Sequence, residues 1–159
     1  MIKITLEEAE KYIKCVDDYY GREAAFYTTF VDDAGWDVVT YYTAKLKQEY
    51  LFKEGEGNSW VYVLSNPTIP GLRKIGYTKG TPEIRAKEIS KATGVASPFT
   101  VDWAFQCFDG ENLEYEVHKY LDKYRENTRR EFFKIPLEEA KEAILFLGKN
   151  YTNKKDLDL

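Results

Sequence analysis

The stretch that most constrains the fold is residues 60–91, WVYVLSNPTIPGLRKIGYTKGTPEIRAKEISK. Residues 60–64 are a β-branched and aromatic run, and residues 72–77 are a second short one, so both read as strands. Between them Asn66-Pro67 and Pro70-Gly71 force the chain to turn back. Gly76 closes the second strand, where a missing side chain permits a close approach. Thr81 has the character of an N-cap, Pro82 suits the first helical position, and Gly94 is a natural stop. This unit delivers three groups suited to phosphate chemistry: the phenol of Tyr62, the ammonium of Lys74 and the guanidinium of Arg85.

At 159 residues the chain has room for one domain, or one small domain with an appended segment. Thirteen Tyr, nine Phe and three Trp supply a compact aromatic core. No stretch reaches transmembrane length and residues 1–12 lack the apolar run of a signal peptide, so a cytoplasmic protein is expected. Cys15 and Cys107 fit no metal or redox spacing and read as two buried, reduced thiols. The net charge of −4 does not suit a general nucleic-acid binder, but its distribution is uneven. Residues 1–56 hold 12 acidic and 7 basic side chains, whereas residues 57–98 hold Arg73, Lys74, Lys79, Arg85, Lys87 and Lys91 against Glu83 and Glu88. A local positive field on an acidic chain suits a polyanion-binding cleft. A solvated helix face and turn accounts for the same charges.

Before the central unit, Thr5 and Glu8 have the spacing of a capping box, and Leu6, Ala9, Ile13 and Val16 follow at helical spacing. A helix over 5–20, ending at Gly21, is expected. Residues 25–42 read as a hairpin around Asp32-Asp33-Ala34-Gly35. Residues 44–52 are ambiguous between helix and strand, and the Gly/Asn/Ser-rich stretch 55–59 is the best boundary in the chain. After the central unit, residues 99–108 read as a third strand and Asp109 as the cap of a helix with Leu113, Val117, Tyr120, Leu121 and Tyr124 along one stripe. Glu114 and His118 lie one turn apart beside that stripe. A basic turn with Arg129 and Arg130 leads to Glu131-Phe132-Phe133, and Pro136 opens a last helix.

The order of strand with VYV, loop, strand with KIG, helix with an arginine, third strand and helix with a glutamate resembles the GIY-YIG nuclease superfamily. More closely, VYVLSNPTIPGLRKIGYT, PEIRAKEIS, ATGVASPF, the E-x-x-x-H of Glu114 and His118, and REFF at 130–133 are similar to its branch of small phage and bacterial domains. The likeness covers about residues 58–147. It implies an α+β fold, a small three-stranded antiparallel sheet flanked by helices. Residues 58–148 would be the catalytic domain, residues 1–56 an N-terminal helix-plus-hairpin extension of unknown role, and residues 149–159 a frayed tail.

The resemblance also implies metal-dependent phosphodiester hydrolysis on DNA. By position, Tyr62 corresponds to the tyrosine of the first motif, Gly76 to the glycine of the second, Arg85 to the helix arginine and Glu114 to the single carboxylate that holds Mg2+ (or Mn2+). Three positions depart from the pattern: Lys74 stands where a tyrosine is expected, Ile89 where Tyr or His is frequent, and Glu131 near the point of an asparagine.

Such hydrolysis needs a deprotonated water, charge neutralisation at the phosphate and help for the leaving alkoxide. A lone carboxylate can hold Mg2+, which keeps its waters and the substrate oxygens. Arg85 offers a planar fork to the non-bridging oxygens. Tyr62, with Tyr77, would order and deprotonate the water, provided that cations such as Lys74 favour its phenolate. His118 reads either as a partner of the site or as an imidazole paired with Glu114, and Glu131 as a helix-dipole neighbour. Arg73, Lys79, Lys87, Lys91, Arg129 and Arg130 are the candidate DNA contacts. Two other readings fit the residues: a nucleic-acid-binding module that cuts poorly, and a protein that docks on a partner through residues 1–56.

Overall fold

The structure, a computed structural model, describes residues 5–22, 43–52, 54–92, 97–126 and 131–152. The hairpin expected over 25–42, the stop at Gly94, and Arg129 and Arg130 lie outside these residues.

Helix α1 (Leu6–Arg22) begins on the expected capping box. Glu8 N donates to Thr5 Oγ1 at 3.1 Å and Thr5 N to Glu8 Oε2 at 3.2 Å. The helix runs through Gly21 rather than stopping there, and Leu6 is half exposed, so the buried row is shorter than the spacing suggests. Ala9 and Ile13 pack on Leu46 in a small core of their own. Cys15, expected to be buried, is exposed on this helix; Cys107 is buried, and both are free thiols. The ambiguous stretch is helical: residues 43–51 end in a π-helical turn, Lys47–Leu51.

Four antiparallel strands form the sheet: β1 (Ser59–Ser65), β2 (Arg73–Thr78), β3 (Thr100–Cys107) and β4 (Phe132–Phe133), in the order β3-β1-β2-β4. The expected sheet had three. The fourth is two residues long and within the sheet pairs with Arg73 and Lys74, so no alternation of side chains could announce it. β1 is central and buried along nearly its whole length because helices cover both faces. Helix α2 (Pro82–Ala92) lies on the face carrying Tyr62, Leu64 and Gly76, with Ala86 and Ile89 in the core. Helices α3 (Gly110–Tyr120) and α4 (Leu137–Gly148) lie on the other, with Leu113, Val117, Ala140 and Ile144 inward.

The local signals explain these elements. Asp109 adopts φ 56° and caps α3 through Asn112 N, and Pro136 takes the cap position of α4. Thr81 takes the cap position of α2, its carbonyl accepting from Arg85 N at 3.1 Å, but its hydroxyl is buried with no hydrogen-bond partner among the described residues. Tyr120, expected within the apolar stripe of α3, is 57% exposed. The tail expected to fray from residue 149 stays attached for three residues more: Lys149–Tyr151 form a 3-10 turn, and Phe108 N donates to Tyr151 O at 2.7 Å. Among the described residues no helix is long and apolar enough to cross a membrane.

Candidate active site at the open edge of β2

Antiparallel register sets Tyr62 opposite Gly76 and Leu64 opposite Lys74. Residues directly opposite share a face, so Tyr62 leans over a position with no side chain. A Cβ at Gly76 would lie 2.5 Å from the Tyr62 hydroxyl, so the ring tip occupies the space that only glycine leaves. The phenol is 2% exposed, and Arg85 from α2 hydrogen-bonds to it. Arg85 is itself exposed and also pairs with Glu88 at 3.2 Å, so the buried hydroxyl meets the solvent side through the guanidinium. Burial pushes the Tyr62 pKa up to about 12; Arg85 opposes the shift, while the Glu131 and Glu114 carboxylates add to it.

The second half of the site follows from the shortness of β4. Past Lys74 the outer edge of β2 has no strand to pair with, and side chains of α3 take its place. Ile75 N still reaches Glu131 O at 3.1 Å. His118 Nε2 lies 2.8 Å from Ile75 O. A carbonyl only accepts, so this nitrogen carries the proton. One residue on, the Tyr77 backbone hydrogen-bonds to the Glu114 carboxylate. Glu114 thus arrives at Tyr77 while the tip of Tyr62 covers Gly76, its neighbour in the chain. The two groups approach neighbouring residues of β2 from opposite faces, near enough for the Glu114 carboxylate to oppose ionisation of the Tyr62 phenol.

This edge concentrates acids. Burial pushes the Glu114 pKa up to about 7, with Glu131 adding to the shift and Lys74 opposing it. Lys74 Nζ is held by Glu131 Oε2 at 2.7 Å and lies 5.4 Å from the ring of Phe132. One buried carboxylate with a second close by suits Mg2+ or Mn2+, which keep most of their waters. Among the described residues no three His, Cys, Asp or Glu side chains are placed to enclose an ion. Glu114 is the residue there that could hold such a cation.

The expected site residues divide. Tyr62, Arg85, Glu114 and Lys74 converge. Tyr77 contributes its backbone, because alternation puts its phenol on the face away from Tyr62. His118 is spent on Ile75 O and on an edge-to-face contact with Phe133, 5.0 Å between centroids; burial lowers its pKa, and Glu114 Oε1 is 3.6 Å away. Ile89 is core.

Among the candidate DNA contacts, Arg73 points elsewhere. A bulge in β3 leaves Asp102 unpaired between Val101 and Trp103, and that carboxylate takes Arg73 Nη1 at 2.7 Å and the Ser65 hydroxyl at 3.0 Å. Arg73 also lines a cleft of about 780 Å³ between α1 and the β1–β2 loop, which is not this site. Lys79 and Lys91 are exposed and Lys87 is half-buried. Glu131, dismissed on sequence as a dipole neighbour, is the counterion of Lys74. The signal was available, since a lysine inside an apolar strand needs a partner.

No curated protein and no solved structure matches the chain. The model of the T5orf172 domain matches residues 59–148, which takes in all four strands of the sheet and both halves of the β2 edge, and the chain belongs to that family.

Proposed function

We propose that the chain is a metal-dependent DNA endonuclease of the GIY-YIG superfamily that hydrolyses a phosphodiester at the β2 edge. The observation that carries this reading is the meeting of Tyr62, Arg85 and Glu114 around Gly76 and Tyr77. A phenol, a guanidinium and a desolvated carboxylate with no fold-stabilising ion pair are poor choices for structure alone and apt ones for a phosphodiester.

Arg85 is placed to leave Glu88 and fork onto the non-bridging oxygens, where it neutralises charge as the phosphorus becomes five-coordinate. That movement uncovers the Tyr62 hydroxyl, which orients the attacking water. A phenol with a pKa of about 12 is not a standing base, so Tyr62 accepts the water proton only while positive charge is gathered beside it. Lys74 cannot supply a tyrosine's hydroxyl; its ammonium, fixed by Glu131, supplies fixed charge. Glu114 would hold Mg2+ or Mn2+, whose chemistry there is to stabilise the 3′ oxygen as it leaves.

The test is nicking of supercoiled plasmid with Mg2+ or Mn2+ by the wild type, Glu114→Ala, Tyr62→Phe and Arg85→Ala. Cleavage is expected in the wild type alone, with losses of at least about a hundredfold in each variant. Cutting that persists unchanged in Glu114→Ala and Tyr62→Phe would belong to a contaminant and remove this site from consideration. Salt-sensitive DNA binding without cutting, lost in Arg85→Ala and kept in Glu114→Ala, would favour a binding module instead.

A further inference from the structure

Arg85 sits in the first turn of α2, and that turn is held by a residue outside the 59–148 that the family model matches. Lys47 is 1% exposed; its Nζ lies 2.8 Å from Glu83 Oε1 and donates to Val101 O at 2.9 Å. One ammonium therefore bridges the first turn of α2 to β3. The backbone that carries Lys47 is itself fixed. Phe52 N donates to Lys47 O at 2.7 Å, and the Phe52 ring packs edge-to-face on Trp60. Gly55 then pairs with Gln106 of β3, where a Cβ would run into the Gln106 carbonyl. At the other end of α2, Ser90 Oγ accepts from Phe99 N at 2.8 Å, one residue before β3.

Helix geometry gives the Lys47 tie a direction. Glu83 and Arg85 are two positions apart, about 200° round the helix, so they leave it on opposite sides. Glu83 is drawn towards β3, and the Arg85 guanidinium reaches the Tyr62 hydroxyl, whose ring tip lies over Gly76 of β2. β3 and β2 flank β1 in the sheet. Arg85 N is bonded to Thr81 O, so the turn moves as a unit, and a rotation that releases Glu83 carries Arg85 with it. The usual side-chain cap does not oppose that rotation, because the Thr81 hydroxyl has no hydrogen-bond partner among the described residues. Pro82 is buried, but the inward row of Ala86 and Ile89 begins only after Arg85.

We infer that Lys47 is a positioning residue of the site: through Glu83 it sets the rotation of the first turn of α2 that places the Arg85 guanidinium on the Tyr62 hydroxyl. Its consequence for catalysis rests on the endonuclease reading, and it extends that site into the segment before residue 59. A small misplacement of a group that meets the phosphate is costly, so the tie matters to rate as well as to stability.

The test uses the full chain with Glu83→Gln, which cuts the α2 end of the tie and leaves Lys47 with Asp17 and Val101 O; circular dichroism checks that the variant is folded. The first readout needs no catalysis. The NMR chemical shift of the Tyr62 ζ carbon at neutral pH reports the hydrogen bond at its hydroxyl. Glu83→Gln is expected to move that shift in the direction of Arg85→Ala, with Tyr120 and Tyr124 unmoved. The second readout is plasmid nicking. Glu83→Gln should be about tenfold slower, and should add no further loss to Arg85→Ala. Asp17→Asn, which keeps the Glu83 pair, should cut as the wild type does. A Tyr62 shift that ignores Glu83→Gln, or losses that multiply in the double variant, would overturn the inference and leave Lys47 a support of the fold alone. An equal loss in Asp17→Asn would assign the effect to the seating of α1 and overturn it too. If the shift moves as expected and no substrate is cut, the positioning stands and the endonuclease reading fails. If cleavage depends on Glu114 while Glu83→Gln cuts at the wild-type rate, the reverse holds.

Discussion

Two lysines, one against β3 and one on β2, show how differently the same ammonium can be used. Lys47, in the π-helical turn, is 1% exposed and touches Asp17 of α1 at 3.1 Å, Glu83 of α2 at 2.8 Å and Val101 O of β3 at 2.9 Å. Burial pulls its pKa down, but Glu83 and Asp17 more than offset this, and the net shift is upward. Two hydrogen bonds, to Asp17 and Val101 O, and the ion pair with Glu83 fasten the N-terminal helix to the sheet. Lys74 has one ion-pair partner, Glu131, itself 43% exposed, and a ring. Next to Lys47 the acids are consumed; next to Lys74 a second acid, Glu114, has a backbone N–H and the His118 ring 3.6 Å away, but no lysine or arginine paired with it among the described residues. A buried ion cluster saturated with partners is a fastening, whereas the one at the sheet edge is the cluster to which the proposed function assigns a cation.

The widest separation between the two clusters is expected from removing each lysine. Lys47→Met strands two partly buried carboxylates and should cost about 3–5 kcal/mol, read by urea unfolding. Lys74→Met breaks one partly exposed pair and should cost less than about 1 kcal/mol in the same assay while lowering plasmid cleavage. Equal losses of stability would erase the distinction.

Asp17 sharpens the comparison through pH. Burial, the largest cause, raises its pKa from 3.8 to about 6 against the opposing pull of Lys47. The folded state therefore holds the proton more tightly than the unfolded one. This contribution to stability is fully present below pH 3.8 and is lost as pH rises through about 6. Relative to the wild type, Asp17→Asn should gain about 3 kcal/mol across that window, measured as the difference between their unfolding free energies at each pH. A difference that stays flat from pH 4 to 7 would mean that Asp17 is not desolvated.

Gly76→Ala is the corresponding strike at the edge site. The new Cβ would sit 2.5 Å from the Tyr62 hydroxyl, so the buried ring must give way. A stability loss of about 1–2 kcal/mol is expected, together with exposure of the Tyr62 ring detectable by tyrosine absorbance. Smaller again is Arg85→Lys, which keeps the charge and loses the fork; cleavage should fall about tenfold with stability unchanged.

What could be read in the sequence follows from the range over which each feature is encoded. The Thr5–Glu8 box, the turn at 66–71 and the glycine at 76 are local, and each is where its residues place it. The convergence of Tyr62, Arg85 and Glu114 came from motif order. The roles of Tyr77, His118 and Glu131 did not, because they depend on β4 ending after two residues and leaving the β2 edge for α3 to fill. Arg73 was misplaced for the same kind of reason: a bulge in β3 turns Asp102 towards it, and nothing around residue 73 records that. Lys47 was invisible, since its three partners lie 30 or more positions away in sequence.

The central claim is that Glu114 and Tyr62 form one cation-dependent site at the Gly76–Tyr77 edge, and paramagnetic broadening by Mn2+ in NMR spectra of the full chain tests it most directly. The expected result is that trace Mn2+ first erases the Tyr77 amide and the Tyr62 ring signals, leaves Asp17 and its neighbours sharp, and does neither in Glu114→Gln. Broadening that centres on the acidic first turn of α1, or that survives Glu114→Gln, would contradict it.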